Sequence, residues 1–155
     1  MDPLRKILSL AVTLAVISAC GGLESSESAE AALRDYFAAL HEGRYSEAVA
    51  LYGGEYDPLE ADNPDLEPSD RAGLLERWCR QNGGVCLPVQ TIVDVAPAER
   101  GFTFVVQFAN EDGSTFEIGP CCGEEDTGQR TRDFTYTVIP AGDGFVVLEL
   151  PPYVP

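Results

Sequence analysis

Between positions 29 and 52 the apolar residues return every three or four places. Ala29, Leu33, Tyr36, Phe37 and Leu40 form one series, and after Gly43 come Tyr45, Ala48, Val49 and Tyr52. That is the period of an amphipathic helix. The spacing predicts a first helix opening at Ser28 as N-cap, with Glu30 and Asp35 placing negative charge in its early turns, and a second, shorter one stopping at Gly53-Gly54. A further helix, capped by Ser69 or Asp70, carries Leu74, Leu75, Trp78 and Cys79 on its apolar side and ends at Gln81-Asn82-Gly83-Gly84. Beyond residue 88 the period changes to two. In 89–95, Thr91, Val93 and Val95 share one side; Phe102, Phe104, Val106 and Phe108 then alternate with Thr103, Val105 and Gln107. Asn110-Glu111-Asp112-Gly113 predicts a turn into 114–118. Residues 131–139 alternate again, and Pro140-Ala141-Gly142-Asp143-Gly144 leads into 145–150. The prolines of 151–155 should end the sheet.

This order, helices first and then about five strands joined by short turns, predicts an α+β domain with helices on one face of a curved, mostly antiparallel sheet. Between the second and third helices, residues 55–70 are acidic and broken by Pro58, Pro64 and Pro68, which forbid a long helix or an inner strand. Asp57, Glu60, Asp62, Asn63, Asp65, Glu67 and Asp70 are oxygen donors there. Their order does not follow a calcium-loop pattern, because Pro64 interrupts it and a central glycine is lacking, so a solvated loop is expected.

The amino-terminal residues follow a different plan. Arg5 and Lys6 precede a largely apolar stretch, 7–17, and a small-residue site ending at Cys20. This is the layout of a cleaved export signal. As a helix the apolar stretch rises about 16 Å, roughly half a bilayer's hydrocarbon core, and is too short to span it. Ile17-Ser18-Ala19-Cys20 resembles the lipobox of bacterial lipoproteins. The resemblance implies cleavage after residue 19, acylation of Cys20 (palmitate among the chains) and anchoring to a bilayer on the extracytoplasmic side of the cell envelope. The expected organisation is a signal peptide over 1–19, a flexible tether over 20–27 and a folded domain over 28–155.

A second resemblance comes from the helical half. The segment ALRDYFAALHEGRYSEAVALY, residues 32–52, is similar to the opening helices of the nuclear-transport-factor-2-like superfamily, with Gly43, Tyr45, Glu47 and Ala48 matching its glycine and following aromatic-polar-Glu-Ala start. The family implies a cone-shaped roll with an interior that hosts isomerases, dehydratases, hydrolases or binding domains. The cysteines and the proline-rich acidic insertion depart from its usual pattern.

Charge narrows the partners. The chain carries a formal net charge of −16, and its only lysine, Lys6, lies in the export signal. Such a surface repels nucleic acid and anionic headgroups, and suits a cationic ligand or simple solubility. Cys79, Cys86, Cys121 and Cys122 would meet an oxidising compartment, so they are expected as disulfides. A bond between neighbours 121 and 122 is strained. The reading therefore favours two long-range bridges joining 79 and 86 to 121 and 122, with Cys79–Cys86 and two free vicinal thiols as the alternative.

Catalytic chemistry finds few carriers. His41 is the only histidine and sits where a helix C-terminus favours a cap. An isomerase would need a desolvated carboxylate facing a phenol, and Asp94 or Asp133 with Tyr36 or Tyr136 are the candidates, although strand parity puts both acids on wetter surfaces. No phosphate loop, metal-ligand spacing or cofactor motif stands out. Tyr36, Phe37, Trp78, Phe102, Phe104, Phe108, Phe134 and Tyr136 are candidates to line a pocket between helices and sheet, or to fill it as core. The expected function is a lipid-anchored, non-catalytic domain that binds a small ligand or another envelope protein. The alternatives are an isomerase or hydrolase using a strand carboxylate, and a solidly packed docking scaffold.

Overall fold

A computed structural model describes residues 21–119 and 130–154, with side chains from residue 26 onward. Among the described residues four helices precede four strands: α1 (Gly21–His41), α2 (Tyr45–Leu51), α3 (Asp57–Asp62), α4 (Arg71–Arg80), β1 (Val89–Pro97), β2 (Phe102–Phe108), β3 (Phe134–Ala141) and β4 (Gly144–Val147). The strands form one antiparallel meander in the order β1-β2-β3-β4, and α1 lies on it, packed chiefly against β4 and β3. The α+β class and the antiparallel sheet therefore stand. Among the described residues no helix is long and apolar enough to cross a membrane.

The core follows from the two periodicities. Leu33, Tyr36, Phe37 and Leu40 fall on one side of α1 and are fully buried, as are Phe104, Val106 and Phe108 from β2 and Val138 from β3. Phe37 meets Tyr136 edge to face at 4.8 Å and Phe108 at a tilt at 4.7 Å, centroid to centroid. Burying one such ring stabilises the fold by roughly 1.5–3 kcal/mol, with about 0.5–1.5 kcal/mol more for each well-set aromatic pair.

The structure departs from the sequence expectations in several places. Among the described residues α1 runs from Gly21, so positions 21–27 are helical and Ser28 is an interior position, not an N-cap. The acidic stretch holds a short helix, α3, with Pro58 in its first turn: proline lacks only an N–H that the first turn leaves unbonded anyway. Strand β1 does not alternate cleanly. Register shifts between Val89 and Thr91 and between Ile92 and Asp94 put Thr91 opposite Gln107 but Val95 opposite Phe104, so the two fall on different faces. Val93 and Val95 end up 50% and 47% exposed.

The predicted turn at 110–113 is present, closed by a hydrogen bond from Gly113 N–H to Asn110 O (2.9 Å). The strand expected after it shrinks to isolated bridges, Ala109 with Thr115 and Ile118 with Thr131, leaving four strands among the described residues where about five were expected. The prolines of the tail do leave the sheet. The tail then runs beside residues 83–85, with Val85 N–H donating to Pro152 O (2.7 Å), Val154 N–H to Gly83 O (2.9 Å), and Tyr153 bridged to Gly84.

The favoured long-range disulfides are replaced by a local one. Cys79 at the end of α4 bonds Cys86 in the following loop, with Cα atoms 5.5 Å apart. A reversal at Gly83-Gly84 brings two cysteines seven positions apart within bridging distance, a fold-back that cysteine spacing does not reveal. Cys20, Cys121 and Cys122 lie outside the described residues.

Candidate functional site

Each sequence-predicted chemical group has a defined place. Asp94 and Asp133 are exposed, Asp94 accepting from Val95 N–H (2.9 Å) and Asp133 from the Gln107 amide (2.7 Å). Neither lies with Tyr36 and Tyr136, which are buried in the core. His41 ends α1 and its Nδ1 is 3.1 Å from Cys86 O, tying the helix to the disulfide loop. The donors of the acidic stretch have structural work: Asp65 takes a two-pronged ion pair from Arg77 (2.6 Å each), Asp70 caps α4 through Gly73 N–H (2.9 Å), and buried Asn63 donates to Leu59 O (2.7 Å). The Arg77 hydrogen bonds hold the Asp65 carboxyl below its usual range.

The aromatic row divides. Tyr36, Phe37, Phe104, Phe108 and Tyr136 are buried against one another or their neighbours, Phe102 and Phe134 flank them half-buried, and Trp78 lines one of three clefts among the described residues. Those clefts are at the surface. One of about 590 Å³ lies between α1, α2 and the β3–β4 turn, walled largely by small residues such as Ala31, Ala32 and Ala50.

Two others meet at Pro58, which lines both. The first, about 500 Å³, is formed by Asp62, Trp78, Asn82 and Tyr153; the second, about 570 Å³, by Tyr52, Gly53, Gly54, Glu55 and residues 148–150. Together they make a groove with α3 on one flank and the carboxyl-terminal tail on the other.

The groove is built by segments without regular period. In the first lobe the Trp78 and Tyr153 ring centroids are 5.8 Å apart at 31°, and the Tyr153 side remains 53% exposed. Gly83 permits this: its φ of +80° is the left-handed region, and a Cβ there would stand 2.5 Å from Val154 O. Asn82 donates to Asn63 Oδ1 (3.3 Å), joining the end of α4 to the end of α3.

In the second lobe, Tyr52 leaves α2 to form a parallel bridge with Val147, and Gly53 N–H donates to Val147 O (2.8 Å). Gly54 lies so close to the outgoing chain that a Cβ would be 2.1 Å from Leu148 O. Tyr52 donates to Glu55 O (3.0 Å), and Glu149 accepts from Thr137 N–H (2.6 Å).

Behind this lobe stands a cluster of phenols. Tyr52 stacks on Tyr36 at 5.9 Å and meets Tyr56 edge-on at 5.1 Å, while the Arg71 guanidinium lies 4.0 Å above the Tyr56 ring. Burial, reinforced by Tyr56, Glu149 and Glu55, pushes the Tyr52 hydroxyl up to about 12. Burial raises Tyr36 and Tyr136 as well. At neutral pH these phenols are therefore uncharged hydrogen-bond donors and not bases. The Tyr36 hydroxyl is buried without a hydrogen-bond partner among the described residues.

Sequence reading named Trp78, and named Asp62 only as an oxygen donor. It missed Tyr52, Glu55, Asn82, Glu149 and Tyr153 as a set, because they come together through a glycine pair, a short helix and a proline-rich tail. The available signals were the Gly-Gly steps after Tyr52 and Asn82, each marking a close approach of chain to chain. Compared with known proteins, the chain matches no family model, no curated protein and no solved structure.

Proposed function

We propose that this chain is a lipid-anchored, extracytoplasmic binding module of the cell envelope, acylated on Cys20, whose domain resembles the nuclear-transport-factor-2-like roll and whose binding site is the groove at Pro58. The lipid anchor rests on the order of charge, apolar stretch, small residues and cysteine in 5–20. The helices-then-meander order supports the family reading. Non-catalytic binding is supported by the position of the strand acids: Asp94 and Asp133 face solvent, away from the buried phenols that an isomerase would pair with them.

The observation that carries the reading is the groove itself. Two clefts of ligand size share one proline, and aromatic rings and polar groups converge in them. Two measurements test it. Metabolic labelling with a radiolabelled fatty acid should mark the native chain and not Cys20→Ala; equal labelling removes the anchor. Two-dimensional NMR of the chain titrated with a fragment library should place shifts at Tyr52, Trp78 and Tyr153; shifts confined to the cleft at Ala31 and Ala50 would move the site elsewhere.

A further inference from the structure

The chain has three asparagines, Asn63, Asn82 and Asn110, and the residue after each decides what its side-chain amide can undergo. Asn63 precedes Pro64, which has no N–H. Asn110 precedes Glu111, and its amide donates to Ser114 Oγ (2.9 Å) inside the turn it opens. Asn82 precedes Gly83, the one Asn-Gly step of the sequence, so no Cβ hinders a ring closing between the two residues. The backbone there also leaves the attacking nitrogen unengaged. Gln81 N–H and Asn82 N–H both donate to Arg77 O and Gly84 N–H donates to Trp78 O, whereas Gly83 N–H enters no backbone hydrogen bond among the described residues. The Asn82 amide is held to Asn63 Oδ1 at 3.3 Å, a long hydrogen bond, and it lines the first lobe of the groove, where water reaches it.

We infer that Asn82 is a site of spontaneous deamidation, and that the reaction unties α4 from α3. The Gly83 nitrogen, its proton lost to solvent base, attacks Asn82 Cγ. The new C–N bond closes a five-membered imide, and the side-chain nitrogen leaves as ammonia. Water then adds to either imide carbonyl and opens the ring, leaving aspartate or isoaspartate at 82. Water is the only co-reactant, and nothing is oxidised or reduced. The product carboxylate has no N–H to give the Oδ1 of buried Asn63, and it sets a second negative charge in the lobe that Asp62 lines. The inference holds whether or not the groove takes a ligand.

The full chain in uncharged detergent is kept in mildly alkaline buffer, sampled over days and digested at acid pH for peptide mass spectrometry. The peptide carrying Asn82 should gain one mass unit at least tenfold faster than the one carrying Asn110, and faster still as the pH is raised. The Asn63 peptide should not change. Asn82→Gln, which would need a six-membered ring, should slow conversion at that position at least tenfold. Trp78, the only tryptophan, lines the same lobe, so its emission follows the consequence. As the native chain converts, that emission should move toward the emission of Asn82→Asp, which lacks the donor from the start and should melt below the native chain.

Conversion at Asn82 no faster than at Asn110 would overturn the site. So would conversion that appears only in the chain unfolded by urea, since the folded loop would then be blocking the ring. Conversion that leaves Trp78 emission unmoved, with Asn82→Asp melting together with the native chain, would overturn the untying of α4 from α3.

Discussion

The α1–sheet interface and the groove at Pro58 both collect aromatic side chains, with opposite results. At the interface, Phe37, Phe104, Phe108 and Tyr136 arise from strict periods of a helix and two strands, and their rings meet one another until the space is filled. In the groove, Trp78 and Tyr153 come from a helix flank and a tail and stay partly open to solvent, while Tyr52, from a helix end, is buried and still lines the second lobe. Regular elements can bury a whole face because every turn of the pattern adds another contact. Irregular segments, held at glycines and a disulfide, leave gaps between their fixed points, and gaps are what a ligand needs.

The comparison breaks most severely at the filled side. Phe37→Ala should cost about 3–5 kcal/mol, read from urea unfolding, because the rings around it cannot close the void. At a temperature where the variant is folded, the emission of Trp78 should be unaltered. If that emission shifted together with the stability, core and groove would be one unit and the contrast would fail.

On the groove side, replacing both Cys79 and Cys86 by serine opens a short loop and should remove roughly 2–3 kcal/mol in the chain-entropy account. Here stability and Trp78 emission should change together, since the bridge holds the loop that seats Tyr153 against Trp78. Gly54→Ala drives a methyl against Leu148 O and should cost roughly 1–3 kcal/mol while displacing the second lobe. Asp70→Ala removes the α4 cap at about 1 kcal/mol and should leave both regions intact.

The phenols sharpen the contrast by pH. Tyr36, Tyr52 and Tyr136 have folded-state values raised above those of the unfolded chain, with Tyr52 at about 12. The stability linked to them is fully present below the ordinary phenol range near 10. It is lost as pH rises through the folded values, because the unfolded chain releases those protons first. Thermal melts should stay level with respect to these groups up to about pH 9 and fall steeply above about pH 10, with tyrosinate absorbance at 295 nm appearing at the same transition. Tyrosinate absorbance rising well before unfolding would show these phenols to be wetter than their burial implies.

What could be read in advance follows the same division. The alternation at 102–108 and the three- and four-residue spacing at 29–40 are long patterns in which every position agrees, so strand β2 and the buried face of α1 were legible. The α4 cap was legible to within one position, Ser69 or Asp70, and is Asp70. Helix α3 was not, because the proline that argues against a long helix is also a good residue to begin a short one. The bulges of β1 hid the true facing of Thr91 and Val95, since nothing in residues 89–95 announces an inserted residue. The local disulfide and the seat of Tyr153 depend on a chain reversal at Gly83-Gly84 whose direction only tertiary contacts decide.

Among the described residues helix α1 runs from Gly21, and its core contacts begin near Ala29. At 1.5 Å per residue the intervening turns rise about 12 Å. Anything joined to the amino-terminal end of α1 would therefore stand about two turns away from the packed core.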